Sequence, residues 1–141
     1  MTWLTRIGIA VLASLFWMRF APSSVTKWHD PPIKESVPSR KGYITSIKVS
    51  GSAAATLDLL NTIALASPRT KVLAGRVEEG KITYLSRSLI LGAPDYTTVM
   101  VKMTGGGGQI TLFGRLRFGL YDYGVNRKRI QSWVQTLEAL E

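Results

Sequence analysis

The sequence predicts an α+β domain: an antiparallel sheet of about five strands, in the order β-α-β-β-β-β-α, covered on one face by two helices and preceded by an N-terminal transmembrane helix. Three observations lead there. Ile7 to Met18 is an unbroken apolar run near the start of the chain. Beyond Tyr43 the chain alternates with the period of two that marks half-buried strands. A helical spacing of three and four occurs twice in that part, once early and once at the end. Strands joined by tight turns, with helices early and late, imply one antiparallel sheet with the helices on one side.

The leader comes first. Its apolar run, IGIAVLASLFWM, is bracketed by Arg6 and Arg19 and by the aromatics Trp3, Phe16, Trp17 and Phe20. As a helix, residues 1–21 reach about 31 Å, enough for a hydrocarbon core of ~30 Å with both arginines snorkelling at the ends. The membrane-anchor residues are therefore Trp3, Arg6, Ile7, Leu12, Phe16, Trp17, Met18, Arg19 and Phe20. A secretory signal peptide has a similar pattern, but Ala21 would put Arg19 at the minus-three position of the cleavage site, and Pro22 spoils the next one. A helix packed on the domain is the third reading. Arg6 with the amino terminus nearly balances Arg19 with Lys27, so charge alone does not orient the span. The expectation is a single pass through an inner (cytoplasmic) membrane, leaning to a periplasmic domain.

Residues 22–42 read as a proline-rich tether, with Pro22, Pro31, Pro32 and Pro38 and no hydrophobic period. Trp28 in it is an interfacial anchor or docks on the domain. His29, the chain's one histidine, has no acid, base or nucleophile at a recognisable spacing and reads as exposed rather than catalytic.

Residues 43–141 form the α+β domain. Tyr43, Thr45, Ile47 and Val49 alternate with Ile44, Ser46 and Lys48 as a first strand. Ser52 caps a helix over Ala53 to Ala66, whose Leu57, Leu60, Ile63 and Ala64 share a face, and Ser67-Pro68 stops it. Lys71 to Val77 and Lys81 to Leu89 are strands around the turn Glu78-Glu79-Gly80. A break at Gly92-Ala93-Pro94-Asp95 precedes a strand from Tyr96 to Met103. Gly105 to Gly108 form a flexible hairpin loop, not a phosphate cradle, because a strand and not a helix follows. That strand, Gln109 to Phe118, sets Ile110, Leu112, Leu116 and Phe118 against Thr111, Phe113, Arg115 and Arg117 on the opposite face. Asn126 is the expected N-cap of a closing helix with the stripe Ile130, Trp133, Val134, Leu137 and Leu140.

Composition bounds the function. The 141 residues are 45% hydrophobic and 19% charged, so the chain is neither disordered nor low in complexity. Without cysteine there is no disulfide, thiolate metal site or cysteine nucleophile. Eighteen Lys and Arg against nine Asp and Glu give a net charge of +9, which favours anionic partners. Arg87, Arg115 and Arg117 lie on strands, and Arg127, Lys128 and Arg129 open the last helix, where cations oppose the macrodipole. A carboxylate or an external anion there would relieve that repulsion, and Asp95 and Asp122 are the local carboxylates.

The candidate partner or anion contacts are thus Arg87, Asp95, Arg115, Arg117, Asp122, Asn126 and Arg127. One reading is an internal network joining Asp95 or Asp122 to Arg87, Arg115 or Arg127. Another is an arginine-lined site for a phosphate, a lipid headgroup or an acidic partner. Phe113, Phe118, Tyr121 and Tyr123 among arginines could stack nucleic-acid bases, but a membrane tether argues against nucleic acid as a partner. No serine elbow or metal-ligand spacing is present, so no enzyme, metal or cofactor is expected.

Two segments, ITYLSRSLILGAPDYTT from Ile82 and LFGRLRFGLYDYGVNRKRIQSW from Leu112, resemble the family catalogued as domain of unknown function 1499. Its members carry a strand with arginines, a short Asp-containing loop, then Gly-Val-Asn-Arg and a closing helix. The likeness covers roughly Gly42 to Leu140. Ala21-Pro22-Ser23 and Trp28-His29 are similar to features of bacterial members with an apolar N-terminal segment. The resemblance implies the fold and membrane association, and no activity. With the leader, it makes a membrane-anchored, non-enzymatic interaction domain the expectation, as an accessory subunit of a larger membrane complex, for example a respiratory one. A module for anionic lipid headgroups or a small phosphorylated ligand is the alternative. The expected partners are an integral membrane protein complex and membrane lipid.

Overall fold

The structure, a computed structural model, describes residues 2–30 and 40–140. Helix α1, Trp3–Phe20, starts where the Thr2 side chain accepts from the amide of Thr5 and ends ahead of Ala21-Pro22. Its 18 residues make about 27 Å of helix, long and apolar enough to cross a membrane. None of its side chains is buried, and only Met18 and Arg19 of its last turn lie against the domain, so the body of the helix does not pack on it.

Five strands follow: β1 (Gly42–Val49), β2 (Thr70–Arg76), β3 (Lys81–Arg87), β4 (Pro94–Thr104) and β5 (Gly107–Leu116). They form one fully antiparallel sheet in the order β1-β5-β4-β3-β2. Two long helices, α3 (Ala53–Ala66) and α4 (Val125–Leu140), lie on one face as expected. Ser52 caps α3 through the amide of Ala55, and α3 carries the chain from the β1 edge to the β2 edge. The core between the layers joins Leu57 and Leu60 of α3 and Ile130 and Trp133 of α4 to Ile82, Tyr84, Val99, Ile110 and Leu112 of the sheet. Trp133 meets Tyr84 edge to face at 5.5 Å and donates its indole N–H to Ser67, so its polar atom is satisfied where the ring is buried.

Gly114 explains how close α4 lies. A Cβ there would stand 2.8 Å from Asn126 Oδ1 and 3.0 Å from Ile130 Cδ1, so only glycine lets the helix touch the strand.

Several boundaries differ from expectation: β4 already begins at Pro94, so Pro94 and Asp95 belong to the strand and not to the break before it. β3 stops at Arg87 instead of running to Leu89, because Ser88 and Ala93 bond to each other and close a loop over the apolar Leu89, Ile90 and Leu91. β5 stops at Leu116. The glycine run is a tight turn at Gly105 and Gly106, with Gly107 and Gly108 already paired in the sheet.

Residues 22–30 depart most from expectation. Instead of an extended tether they carry a short helix α2, Val25–His29, capped by Ser24, which packs on the sheet face opposite α3 and α4. Pro31, Pro32 and Pro38 lie outside the described residues.

Candidate functional site

Parity along the strands sorts the charged residues into two clusters on opposite faces. Asp95 pairs across β4 with Ser86 and Leu116, so the neighbouring Arg87 and Arg115 must point through the other side of the sheet. That one-residue step separates the carboxylates from the strand arginines. The expected network of Asp95 or Asp122 with Arg87 or Arg115 does not form.

The arginines instead hold the segment after α1. Arg87 donates from Nη1 to the carbonyl of Arg19 at 2.7 Å and to that of Gly92 at 2.8 Å. Arg117 donates to the carbonyl of Pro22 at 2.9 Å and to the Tyr96 hydroxyl at 3.0 Å, which in turn bonds Ser23 at 2.6 Å. Arg115 donates from Nη2 to the carbonyl of Trp28 at 2.7 Å and to Thr98 Oγ1 at 2.5 Å. Three carbonyls between residues 19 and 28 are thus each bound by a different arginine, from β3, from β5 and from the residue just past β5.

Trp28 completes the clamp. Its ring stacks on Tyr96 at 4.0 Å with the planes 13° apart, and the guanidinium of Arg115 lies 5.5 Å from it and 4.8 Å from Phe113. Arg115 is buried without a carboxylate partner, and that burial pushes its pKa down to about 10. Planar guanidinium suits this place, because it is weakly hydrated and stacks on aromatic faces. His29 is docked rather than exposed. Its Nδ1 lies 3.0 Å from Thr83 Oγ1, and burial, followed by the charge of Lys81, lowers its pKa. Asp30 closes the segment on Lys81.

The second cluster lies under the start of α4. Asn126 is not the N-cap. The carboxylate of Asp122, three residues ahead of α4, supplies the capping bond, accepting from the amide of Asn126 at 3.1 and 3.2 Å and from its side-chain N–H at 2.8 Å. Asn126, fully buried, also donates to Asp95 at 3.4 Å and accepts from Arg129 at 2.9 Å. Arg129, and not Arg127, is the cation facing Asp95, at 3.5 Å. Burial outweighs Arg129 and, with the charge of Asp122 adding to it, raises the Asp95 pKa to about 6. Asp122 supplies the negative charge that the cations at this helix start call for. Arg127 sits outside the cluster, 5.1 Å over the Tyr43 ring.

Every polar atom of Asn126 is engaged, so this cluster fixes how α4 meets β4 and β5. Its carboxylates are bonded to the amide and side chain of Asn126 and paired with Arg129. Among the described residues no three His, Cys, Asp or Glu side chains converge as metal ligands would. Sequence reasoning missed Tyr96, Thr98 and Trp28 as partners of Arg115 and Arg117. The matching parity of Tyr96 and Thr98 was visible, but the β4–β5 register that sets them beside the arginines was not.

A family model described as "Protein of unknown function (DUF1499)" matches residues 22–137. No curated protein matches the chain. The match begins at Pro22, two residues past the end of α1, and ends at Leu137, the last buried residue of α4. Because both clusters and most of the chain fall inside it, the chain belongs to the family of proteins of unknown function DUF1499.

Proposed function

We propose that the chain is a membrane-anchored, non-enzymatic interaction domain that serves as an accessory subunit of a larger membrane protein complex. The observation that carries this reading is the arginine clamp. Arg87, Arg117 and Arg115 bind the carbonyls of Arg19, Pro22 and Trp28, so the segment leaving α1 is held against the face of the sheet. A domain joined to its anchor in this way keeps one height and one face over the bilayer. Such placement suits docking against a fixed neighbour better than searching for a diffusing substrate. The acidic residues support the same reading, since Asp95 and Asp122 are used in holding α4.

The proposed setting is a single pass through an inner membrane with the domain on the periplasmic side. Extraction in mild detergent followed by size-exclusion chromatography tests the function. The full chain is expected to elute well above the mass of its own micelle and to carry membrane proteins with it. Elution alone, as a folded monomer, refutes the accessory role.

A second reading, binding of anionic headgroups or a small phosphorylated ligand, keeps Arg127 of the expected contacts and sets aside the strand arginines. Arg87, Arg115 and Arg117 are committed to carbonyls, whereas Arg40, Lys41, Arg127 and Lys128 are exposed. Vesicle binding that weakens with salt and with Arg127→Ala, but not with Arg117→Ala, distinguishes it.

A further inference from the structure

Exposed apolar side chains collect at one end of the sheet. The loop after β3 presents Leu89, Ile90 and Leu91, and the loop between β5 and α4 presents Leu120, Tyr121 and Tyr123. Ile90 is 85% exposed, Leu120 71% and Tyr123 87%. Tyr123 also keeps a φ of +51°, an unusual angle for an aromatic residue. The opposite end has a different character. Its turns carry Glu78 and Glu79 and the glycines of the β4–β5 hairpin, with Met103 as the large apolar side chain there.

The apolar end is the one at which α1 leaves the domain. Met18, in the last turn of α1, lines one open groove of about 730 Å³ together with Leu91, Phe118, Leu120, Tyr121 and Val125. A single nitrogen of Arg87 binds both the Arg19 carbonyl and the Gly92 carbonyl, which fixes the first loop to the helix end. Arg117, at the start of the second loop, binds Pro22. Exposed cations flank the same loops: the Arg40 carbonyl accepts from the backbone amide of Asp122, the Arg69 carbonyl from the backbone amide of Arg87, and Arg127 and Lys128 follow in α4.

We propose that this end is a second membrane contact, in which loops 88–92 and 118–125 set their apolar side chains into the headgroup boundary of the bilayer crossed by α1. The inference rests on the membrane-anchored reading above. It commits to lipid as the occupant because the patch is continuous with the exit of the span, so both reach the same depth. Apolar and tyrosine side chains rimmed by lysine and arginine are the chemistry of that boundary, where elements settle about 5–10 Å deep. The domain then lies on the bilayer at two places, and the β2–β3 turn with Glu78 and Glu79 and the glycine hairpin point away.

Depth measurement by spin labelling tests this on the full chain in vesicles of phosphatidylcholine and phosphatidylglycerol. The sequence has no cysteine, so Leu12→Cys, Ile90→Cys, Leu120→Cys and Met103→Cys each carry one nitroxide. Met103 matches Leu120 in exposure, at 71% each, but lies about 30 Å farther along β4. Labels at Ile90 and Leu120 are expected to be relaxed by oxygen and protected from a water-soluble nickel chelate by at least threefold relative to Met103. A label at Leu12 should be protected more strongly still. If Ile90 and Leu120 match Met103 while Leu12 is protected, the second contact is refuted and the anchor stands. If Leu12 is also open to the chelate, the anchor fails and the second contact with it. Labels at Ile90 and Leu120 shielded from both reagents would mean that protein covers the loops, which overturns the proposal.

Discussion

Arg115→Met isolates what the clamp contributes. The native guanidinium makes two charge-assisted hydrogen bonds, to the Trp28 carbonyl and Thr98, each contributing about 1.5–3 kcal/mol. It also lies against Trp28 and Phe113, adding about 0.5–1 kcal/mol each. Against this, burial lowers its pKa from 12.5 to about 10, a cost to the charged form of about 3 kcal/mol. The net stabilisation is on the order of 2 kcal/mol.

Methionine refills the apolar space and leaves few orphans, since Thr98 keeps Thr83 and the Trp28 carbonyl keeps Thr98. The backbone pairing of β5 is untouched. The loss therefore falls on the docked segment. Hydrogen exchange of the full chain in micelles, read by mass spectrometry, should show the amides of residues 21–30 opening roughly 30-fold more often, as ~2 kcal/mol requires. Exchange in β4 and β5 should stay at the native rate. An unchanged rate in 21–30, or an equal rise throughout the sheet, refutes the clamp as the element that holds this segment.

Two further outcomes follow from the second cluster. Gly114→Ala places a methyl group 2.8 Å from Asn126 Oδ1, so α4 must shift at a cost of about 1–3 kcal/mol; a thermal midpoint within a degree of the native one would contradict the close approach. Asp95 has a folded pKa of about 6 against an ordinary 3.8, so the folded state binds its proton more tightly than the unfolded state. Its contribution to stability is lost as pH rises from about 4 to about 6, by on the order of 2–3 kcal/mol. Asp95→Asn removes that slope. Denaturant unfolding of the two proteins from pH 4 to pH 8 should show their stability difference moving in favour of the variant through this window, and a constant difference refutes the raised pKa.

Apolar content and periodicity, which any chain displays without folding, determined the elements. The run from Ile7 to Met18 gave α1, the alternation from Tyr43 to Val49 gave β1, and the stripes of Leu57 and Leu60 and of Ile130 and Trp133 gave the two covering helices. Tight turns between the later strands made the antiparallel sheet legible as well. Partners were a different matter. That Asp95 faces Arg129, and that Arg87, Arg115 and Arg117 bind the carbonyls of a distant segment, depends on strand register and on which side of the sheet each side chain leaves. A shift of one residue exchanges the two faces, and no local pattern records it. For the same reason residues 22–30 looked like a spacer. Their proline and polar content describes a segment with no core of its own, and only the sheet surface, assembled from residues some 50 to 90 positions away, gives Trp28 a place on Tyr96 and Arg115 and His29 a place on Thr83.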